Sequence, residues 1–176
     1  MKNKLIAFVS FVIAAVMAVS FCACSGGKQP AVPAPGSLDI SGIATRIFND
    51  CTFEDTSLVA SPNPEFVFGT VYGADNKLVA GEDGAKSIAV YNTSSSPEMI
   101  ICAEAVDAAS AKKLMDESIK PLIDNYINNY TSYGPEQVQK LKSAVTEVAG
   151  TYVICVVSAD NAKAAEVVGR LLSGEK

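Results

Sequence analysis

The chain has 176 residues, a formal net charge of -5, and neither histidine nor tryptophan. An acidic chain is a poor partner for nucleic acid, whose binding depends on clustered lysine and arginine that displace counterions. Without histidine there is no ordinary Ser-His or Cys-His nucleophile pair and no imidazole ligand for zinc. We therefore expect no nucleic-acid partner, no cofactor and no metal site.

The first residues have the layout of a secretory signal peptide. A basic head at residues 1–4 precedes an apolar run at residues 5–20, and small residues follow around Cys24. The alternative is a retained transmembrane helix, but the apolar run is shorter than the roughly 17–25 residues that a span needs. Because Cys24 follows Ala23 directly, the pattern resembles a bacterial lipoprotein signal. We predict that residues 1–23 are removed and that Cys24 carries the lipid.

The segment after the leader is predicted to be a tether. Residues 24–37 contain three prolines among small and polar residues, a composition too poor in apolar side chains to fold. A diacylglyceryl cysteine supplies the two acyl chains that stable anchoring requires. We expect the protein to be anchored through its N-terminal lipid at the extracytoplasmic face of the cell membrane. Residues 38–173 would form a single globular domain.

A helical pattern begins at Asp39, which with Ser37 is a candidate N-cap. Apolar residues recur every three or four positions, as on one face of a helix. The next segment, residues 52–60, is predicted to be extended. The apolar positions of the helix are Ile40, Ile43, Ala44, Ile47, Phe48 and Cys51.

A second helix is predicted after Asn63. The sequence Asn63-Pro64-Glu65 has the cap, the first-turn proline and the early acid of a helix start, and Gly73 is a stop signal. The aromatic and β-branched residues between them favour a strand instead, and we predict a short helix. Residues 75–85 are predicted to be a polar loop. Asp75, Asn76, Glu82 and Asp83 could bind calcium there, but they lack the ligand spacing of a calcium loop, which favours a solvated acidic loop.

Four strands are predicted, in two antiparallel hairpins. The first pair is residues 86–91 and 98–106, joined by a connector rich in serine. The second pair is residues 144–148 and 151–158, joined around Gly150. Because residues 152–157 are all apolar, we expect this segment in the centre of the sheet.

Helices are predicted to alternate with these strands. Asp107 caps a long helix whose apolar stripe continues in phase past Pro121, which predicts one bent helix. Pro135 starts a shorter helix, and Asp160 caps the last one. The predicted fold class is α+β, an antiparallel sheet of about four strands with helices packed on it.

The cysteines after Cys24 do not form a recognisable motif. Cys51, Cys102 and Cys155 contain no Cys-x-x-Cys pair, so metal-binding and thioredoxin-like functions are not indicated. Cys102 and Cys155 lie in apolar strand-like runs, where cysteine behaves as a small hydrophobic residue. A disulfide between them is the alternative in an extracytoplasmic compartment.

Several short motifs lie along the chain after the tether. The motifs are Phe-Glu-Asp at 53–55, Asp107 with Ser110 and Ala111, Tyr-Gly-Pro-Glu-Gln at 133–137, Leu141, Val145, Gly-Thr-Tyr-Val at 150–153 and Ser-Ala-Asp at 158–160. Together with the leader, they resemble a family of small lipoproteins from Gram-positive, Clostridia-type bacteria that is defined by a domain of unknown function. The resemblance covers residues 38–172 and implies the location and the architecture, but no catalytic residues.

Three tyrosines near the end of the long helix are the candidate binding residues. Tyr126, Tyr130 and Tyr133 recur at helical spacing and could form an aromatic platform for sugar rings of a cell wall. The alternative is the edge of an amphipathic helix with hydroxyls at the solvent boundary. The partner would be a cell-wall component or another envelope protein.

Two classes of function remain after these exclusions. A non-catalytic binding or interaction module at the cell envelope fits the acidic charge, the tether and the missing acid-base residues, so we expect the protein not to be an enzyme. The alternative is an unusual hydrolase that uses carboxylates such as Glu54, Asp55 and Glu65. Glycoside-cleaving pairs of this kind hold their carboxyl groups about 5–10 Å apart.

Overall fold

The computed structural model describes residues 32–34, 36–82 and 84–174. The predicted signal peptide, the predicted lipid site Cys24 and the start of the tether lie outside the described residues. Within the described residues, no helix combines the length and the apolar character needed to cross a membrane.

The domain is built around one antiparallel sheet of five strands. The α+β class is confirmed, and the sheet has one strand more than predicted, a two-residue segment at one edge. Across the sheet the strands lie in the order β1-β2-β3-β5-β4. The strands are β1 (Val59–Ala60), β2 (Ala85–Asn92), β3 (Met99–Ala105), β4 (Val145–Ala149) and β5 (Tyr152–Val157).

Helices cover both faces of this sheet. One face packs against α1 and α7, and the other packs against the helices between β1 and β4. The helices are α1 (Ile40–Asp50), α2 (Pro64–Phe66) with a π-helical turn (Val67–Val71), α3 (Asn76–Ala80), α4 (Ala108–Leu114) with a π-helical turn (Met115–Ile119), α5 (Lys120–Tyr133), α6 (Pro135–Lys142) and α7 (Asn161–Leu172).

Strands β3 and β5 are buried along their whole length. Each lies between two neighbours, and its side chains alternate between the two cores. The central position predicted for residues 152–157 is therefore confirmed. A strand covered on both faces needs apolar residues at consecutive positions, which explains the unbroken apolar run in the sequence.

The two buried cysteines point to opposite faces of the sheet. Cys102 belongs to the core under α1 and α7, whereas Cys155 belongs to the other core, and both are free thiols. The alternative of a Cys102–Cys155 disulfide is thus wrong, because the strand register turns the side chains apart. Burial raises the pKa of the Cys155 thiol to about 12, so it stays protonated.

The long helix predicted past Pro121 forms as one run, from α4 through a π-helical turn into α5. The amide of Lys120 donates to the carbonyl of Met115, five residues earlier. An unbroken α-helix would press the proline ring against the carbonyl four residues before it, and the wider turn accommodates the ring.

Two local predictions need correction. Residues 75–85 are not a loop throughout, because α3 forms there, with Asp75 accepting a hydrogen bond from the Lys77 amide as its cap. Leu78 and Val79 bury its apolar side, and five residues are too few to show a helical period. Residues 52–60 are strand only at β1, because the rest of the segment is held by side-chain contacts described below.

Candidate ligand-binding groove

Three tyrosines of α5 and one from the α2 segment form a row of rings. Tyr126 and Tyr130 stack with ring centroids 6.2 Å apart, and Tyr130 and Tyr133 follow at 5.4 Å. Tyr72 meets Tyr126 edge-on, with the centroids 6.2 Å apart. Positions 126, 130 and 133 lie on one face of α5, since residues three and four apart are neighbours on a helix. The sequence predicted three members of this row, and the structure adds the fourth.

This row is one wall of an open groove of about 340 Å³. The facing wall is the connector between β2 and β3, and the end is closed by the turn after α2. We call this feature the tyrosine groove. Its lining residues are Val71, Tyr72, Asn92, Thr93, Ser94, Ser96, Tyr126, Asn129, Tyr130 and Tyr133.

The phenol groups of the tyrosine groove have no hydrogen-bond partner within the described part of the chain. By contrast, the hydroxyls of Tyr91 and Tyr152 bond to Thr45 and to the backbone of residues 34–38. Small-molecule sites commonly combine aromatic walls with a few free polar groups, so the groove has the composition of such a site.

Three of the groove tyrosines remain neutral at physiological pH. Burial raises the pKa of Tyr72, and burial together with the neighbouring phenols raises the pKa values of Tyr126 and Tyr130. A neutral phenol both donates and accepts hydrogen bonds. These three side chains therefore offer flat apolar faces with uncharged polar tips.

Gly134, the residue after α5, leaves room for the ring of Tyr130. A Cβ atom at this position would lie 2.7 Å from Cδ1 of Tyr130, closer than real side-chain contacts allow. The ring of Tyr130 therefore lies where only a glycine leaves room, and its orientation depends on the residue after the helix.

Asp55 supports the connector wall of the groove. Its carboxylate accepts hydrogen bonds from the Ser57 amide at 2.8 Å and from the Thr93 hydroxyl at 2.8 Å. The Thr93 hydroxyl in turn accepts from the Ser95 amide at 3.1 Å. The hydrogen bonds from Ser57 and Thr93 hold the pKa of Asp55 well below its usual range. The ionised carboxylate of Asp55 thus holds the connector in place through its hydrogen bond from Thr93.

A buried ion pair lies behind the same loop. The carboxylate of Glu98 is completely buried and accepts from the amides of Glu54 and Asp55 at 3.0 and 2.9 Å and from Lys140 Nζ at 2.9 Å. Lys140 also reaches the exposed carboxylate of Glu54 at 3.0 Å. The hydrogen bonds to Glu98 and Glu54 outweigh the effect of burial and raise the pKa of Lys140. We call Glu54, Asp55, Glu98 and Lys140 the acidic cluster.

None of the three acids suggested for catalysis lines the tyrosine groove. The carboxylates of Glu54 and Asp55 bind Lys140 and the hydroxyls of Ser57 and Thr93, and Glu65 lies exposed on α2. In the part of the chain that the structure describes, no group of three acids or cysteines could hold a metal ion.

A second tyrosine-centred region fixes the start of the domain. The hydroxyl of Tyr152 accepts from the amides of Ser37 and Leu38 at 2.9 and 3.1 Å and donates to the Ala34 carbonyl at 2.9 Å. The carboxylate of Glu104 accepts from the Gly36 amide at 2.7 Å. We call this the linker site, because it holds the end of the predicted tether against β3 and β5.

Sequence reasoning missed Tyr72 and the connector residues. The three α5 tyrosines share a helical period, but Tyr72 is far from them in the chain and no local pattern points to it. The sequence predicted only a turn at Asn92, Thr93 and Ser94. These residues meet because β2 and β3 pair as a hairpin beside α5.

Residues 82–158 match the family model of a domain of unknown function, DUF4358. The chain therefore contains this domain from the end of α3 to the end of β5. The match includes the connector and the tyrosines of α5, but it is shorter than the resemblance at residues 38–172 suggested. No curated protein and no solved structure matches the chain.

Proposed function

We propose that this protein is a lipid-anchored, non-catalytic binding module at the extracytoplasmic face of a Gram-positive, Clostridia-type cell envelope. The observation that carries the binding role is the tyrosine groove, an open aromatic cleft with unpartnered neutral polar groups. Its partner is a cell-wall component or another envelope protein.

The proposed location of the protein is inferred from its N-terminal signal sequence. Residues 1–23 have the charge and apolar pattern of a signal peptide, and Cys24 follows the small residue Ala23. The proposed anchor is a diacylglyceryl group on Cys24, which gives stable attachment because it adds more than one acyl chain. The domain matched at residues 82–158 is one of unknown function, as is the domain that defines the family the motifs resemble.

The linker site limits the distance between the proposed lipid anchor and the domain. Tyr152 and Glu104 hold Ala34 and residues 36–38, and Val32 and Pro33 lie beside Gly150, so the described end of the proposed tether is held against the domain. A shorter tether keeps the groove within reach of neighbouring envelope components. Fully extended residues span at most about 3.3–3.6 Å each, which limits the distance from the membrane.

The acidic cluster favours binding over hydrolysis. A general acid at neutral pH needs a carboxyl group with a raised pKa, and the pKa of Asp55 is instead held low by its hydrogen bonds. Glu98 is fully buried against Lys140 and two backbone amides. These acids act as supports for the loop and connector, not as a pair facing a substrate.

The anchor is tested by mass spectrometry of the N-terminal peptide from native membranes. We expect an acyl-modified Cys24 as the first residue, and we expect Cys24→Ser to abolish the modification and the processing. Cys22→Ser is the matched control and should leave both intact, because bulky Phe21 precedes Cys22. A native peptide without acyl mass would contradict the lipoprotein assignment.

The binding role is tested by crosslinking in cells, with hydrolysis of wall fragments as the parallel readout. Crosslinks should be lost from the unlipidated Cys24→Ser form and from Tyr133→Ala, and they should survive Glu54→Gln and Glu65→Gln. Measurable hydrolysis that any one acid substitution abolishes would overturn the proposal in favour of the carboxylate-dependent hydrolase.

A further inference from the structure

We propose that the tyrosine groove binds a segment of an uncharged saccharide chain. This inference rests on the proposed binding function and names its ligand class. The groove volume of about 340 Å³ lies at the lower end of the range of roughly 300–1,000 Å³ found for small-molecule sites. Since the groove is open, a chain could enter and leave at its ends.

The ring row matches the apolar faces of sugar rings. A pyranose presents C–H groups on its two faces, and these pack against the flat faces of aromatic side chains. Tyr126 and Tyr130 lie nearly parallel, at an interplanar angle of 25°, and Tyr133 continues the row. Tyr133 is 72% exposed, so much of its ring surface is open to a ligand.

The polar lining matches sugar hydroxyls, which donate and accept hydrogen bonds. The side chains of Asn92, Asn129 and Ser94 line the groove, and in the residues that the structure describes none of them has a hydrogen-bond partner. Side-chain amides and hydroxyls likewise both donate and accept hydrogen bonds. The groove thus presents donors and acceptors in balance, without a charge.

The local charge favours an uncharged ligand. No described side chain that lines the groove is charged. The nearest charges acting on the Tyr130 phenol are those of Asp55, Glu136 and Lys140, and Lys140 is paired with Glu98 and Glu54. The surrounding field is negative, so an acidic sugar would be repelled.

A proline-rich peptide is the other ligand class that aromatic grooves bind. Such a segment lacks N–H groups at its prolines and offers mainly carbonyl acceptors. The acceptor oxygens of Asn92 and Asn129 would then stay unpaired, at a cost in affinity. The balanced lining therefore favours the saccharide.

The test is isothermal titration of the full chain, purified in a detergent without a sugar headgroup. The probes are chitotetraose and cellotetraose, with tetragalacturonate as the acidic probe and decaproline as the peptide probe. We expect at least one of the two uncharged tetrasaccharides to bind more tightly than tetragalacturonate and decaproline. Tyr133→Ala and Tyr130→Ala should each weaken that binding about tenfold or more, as central aromatic contacts do.

The matched control is Phe66→Ala, since Phe66 is an exposed aromatic residue at 54% that does not line the groove. It should leave the affinity unchanged, and circular dichroism should show all three variants folded. Failure of both uncharged probes, tighter binding of tetragalacturonate or decaproline, or wild-type affinity in both tyrosine variants would overturn the saccharide assignment. The anchor and crosslinking results are separate, so the binding function could survive that failure.

Discussion

The linker site and the tyrosine groove are both built around tyrosine, and they use the side chain in opposite ways. At the linker site Tyr152 is fully buried, and its hydroxyl makes three hydrogen bonds to the backbone of Ala34, Ser37 and Leu38. In the groove the rings are half-buried or exposed, and their hydroxyls meet no partner in the described part of the chain. A satisfied tyrosine holds a structure together, whereas an unsatisfied row leaves room for a ligand.

The same contrast separates the acidic cluster from the groove. Glu98 and Lys140 satisfy each other in the protein interior, and Asp55 is bonded to the connector. Of these three residues, only Asp55 was a candidate acid in the sequence. In the structure its carboxylate accepts hydrogen bonds from Ser57 and Thr93, whereas the phenols of the groove have no partner in the described part of the chain.

The largest expected effect is on the buried ion pair. Lys140→Met keeps the volume of the side chain but leaves the Glu98 carboxylate buried without its cation. Removing one partner of a buried pair costs about 3–5 kcal/mol, so urea unfolding should show a loss of that size. Glu54→Gln is the control, because Glu54 is 71% exposed and its ion pair should contribute about 1 kcal/mol or less. Equal losses in both variants would contradict a buried structural role.

A smaller effect is expected at the linker site. Tyr152→Phe keeps the buried ring and removes the hydroxyl that bonds to Ala34, Ser37 and Leu38. Since each hydrogen bond contributes about 0.5–1.5 kcal/mol and the freed backbone returns to water, the loss should be about 1–3 kcal/mol. Hydrogen exchange at the Ser37 and Leu38 amides should become faster while exchange in β5 changes little. Unchanged exchange at both amides would show that the hydroxyl does not hold the linker.

Gly134→Ala should separate binding from stability. The added Cβ would displace the Tyr130 ring without removing any tyrosine. The backbone at this position has φ -156° and ψ 54°, outside the left-handed region that favours glycine, so the free energy of unfolding should change by about 1 kcal/mol or less. Affinity for the bound probe should fall severalfold in titration. Gly169→Ala is the control, because nothing lies near that position.

The smallest effect concerns the connector and its pH dependence. Asp55 has a lowered pKa in the folded state, so its hydrogen bonds stabilise the fold above its unfolded pKa of about 3.9. That contribution is lost as the pH falls through the lower folded value. Asp55→Asn should therefore be less stable than the wild type at pH 7, and the difference should shrink below pH 4 in urea titrations. A difference that grows on acidification would have the wrong sign.

Much of the fold could be predicted from the sequence because its elements are long and periodic. The apolar face of α1, the unbroken run of β5 and the capping acids Asp107 and Asp160 each specify structure locally. The helix α3 escaped prediction because five residues show no period. Most of the groove lining was not predicted, because Tyr72 and the connector are brought together by the tertiary fold and share no local sequence pattern.

The different surroundings of the six tyrosines allow a direct test of whether the tyrosine groove is the ligand site. The chain has six tyrosines, four in the groove and two, Tyr91 and Tyr152, with internal hydrogen bonds. Labelling the tyrosine rings with ¹³C allows each to be followed by NMR during titration with chitotetraose and then cellotetraose. We predict that one of these sugars shifts the signals of Tyr130 and Tyr133 most, with smaller shifts at Tyr72 and Tyr126 and none at Tyr91 and Tyr152. Shifts confined to Tyr91 and Tyr152, or no shift in any ring with either sugar, would contradict the assignment of the groove as the ligand site.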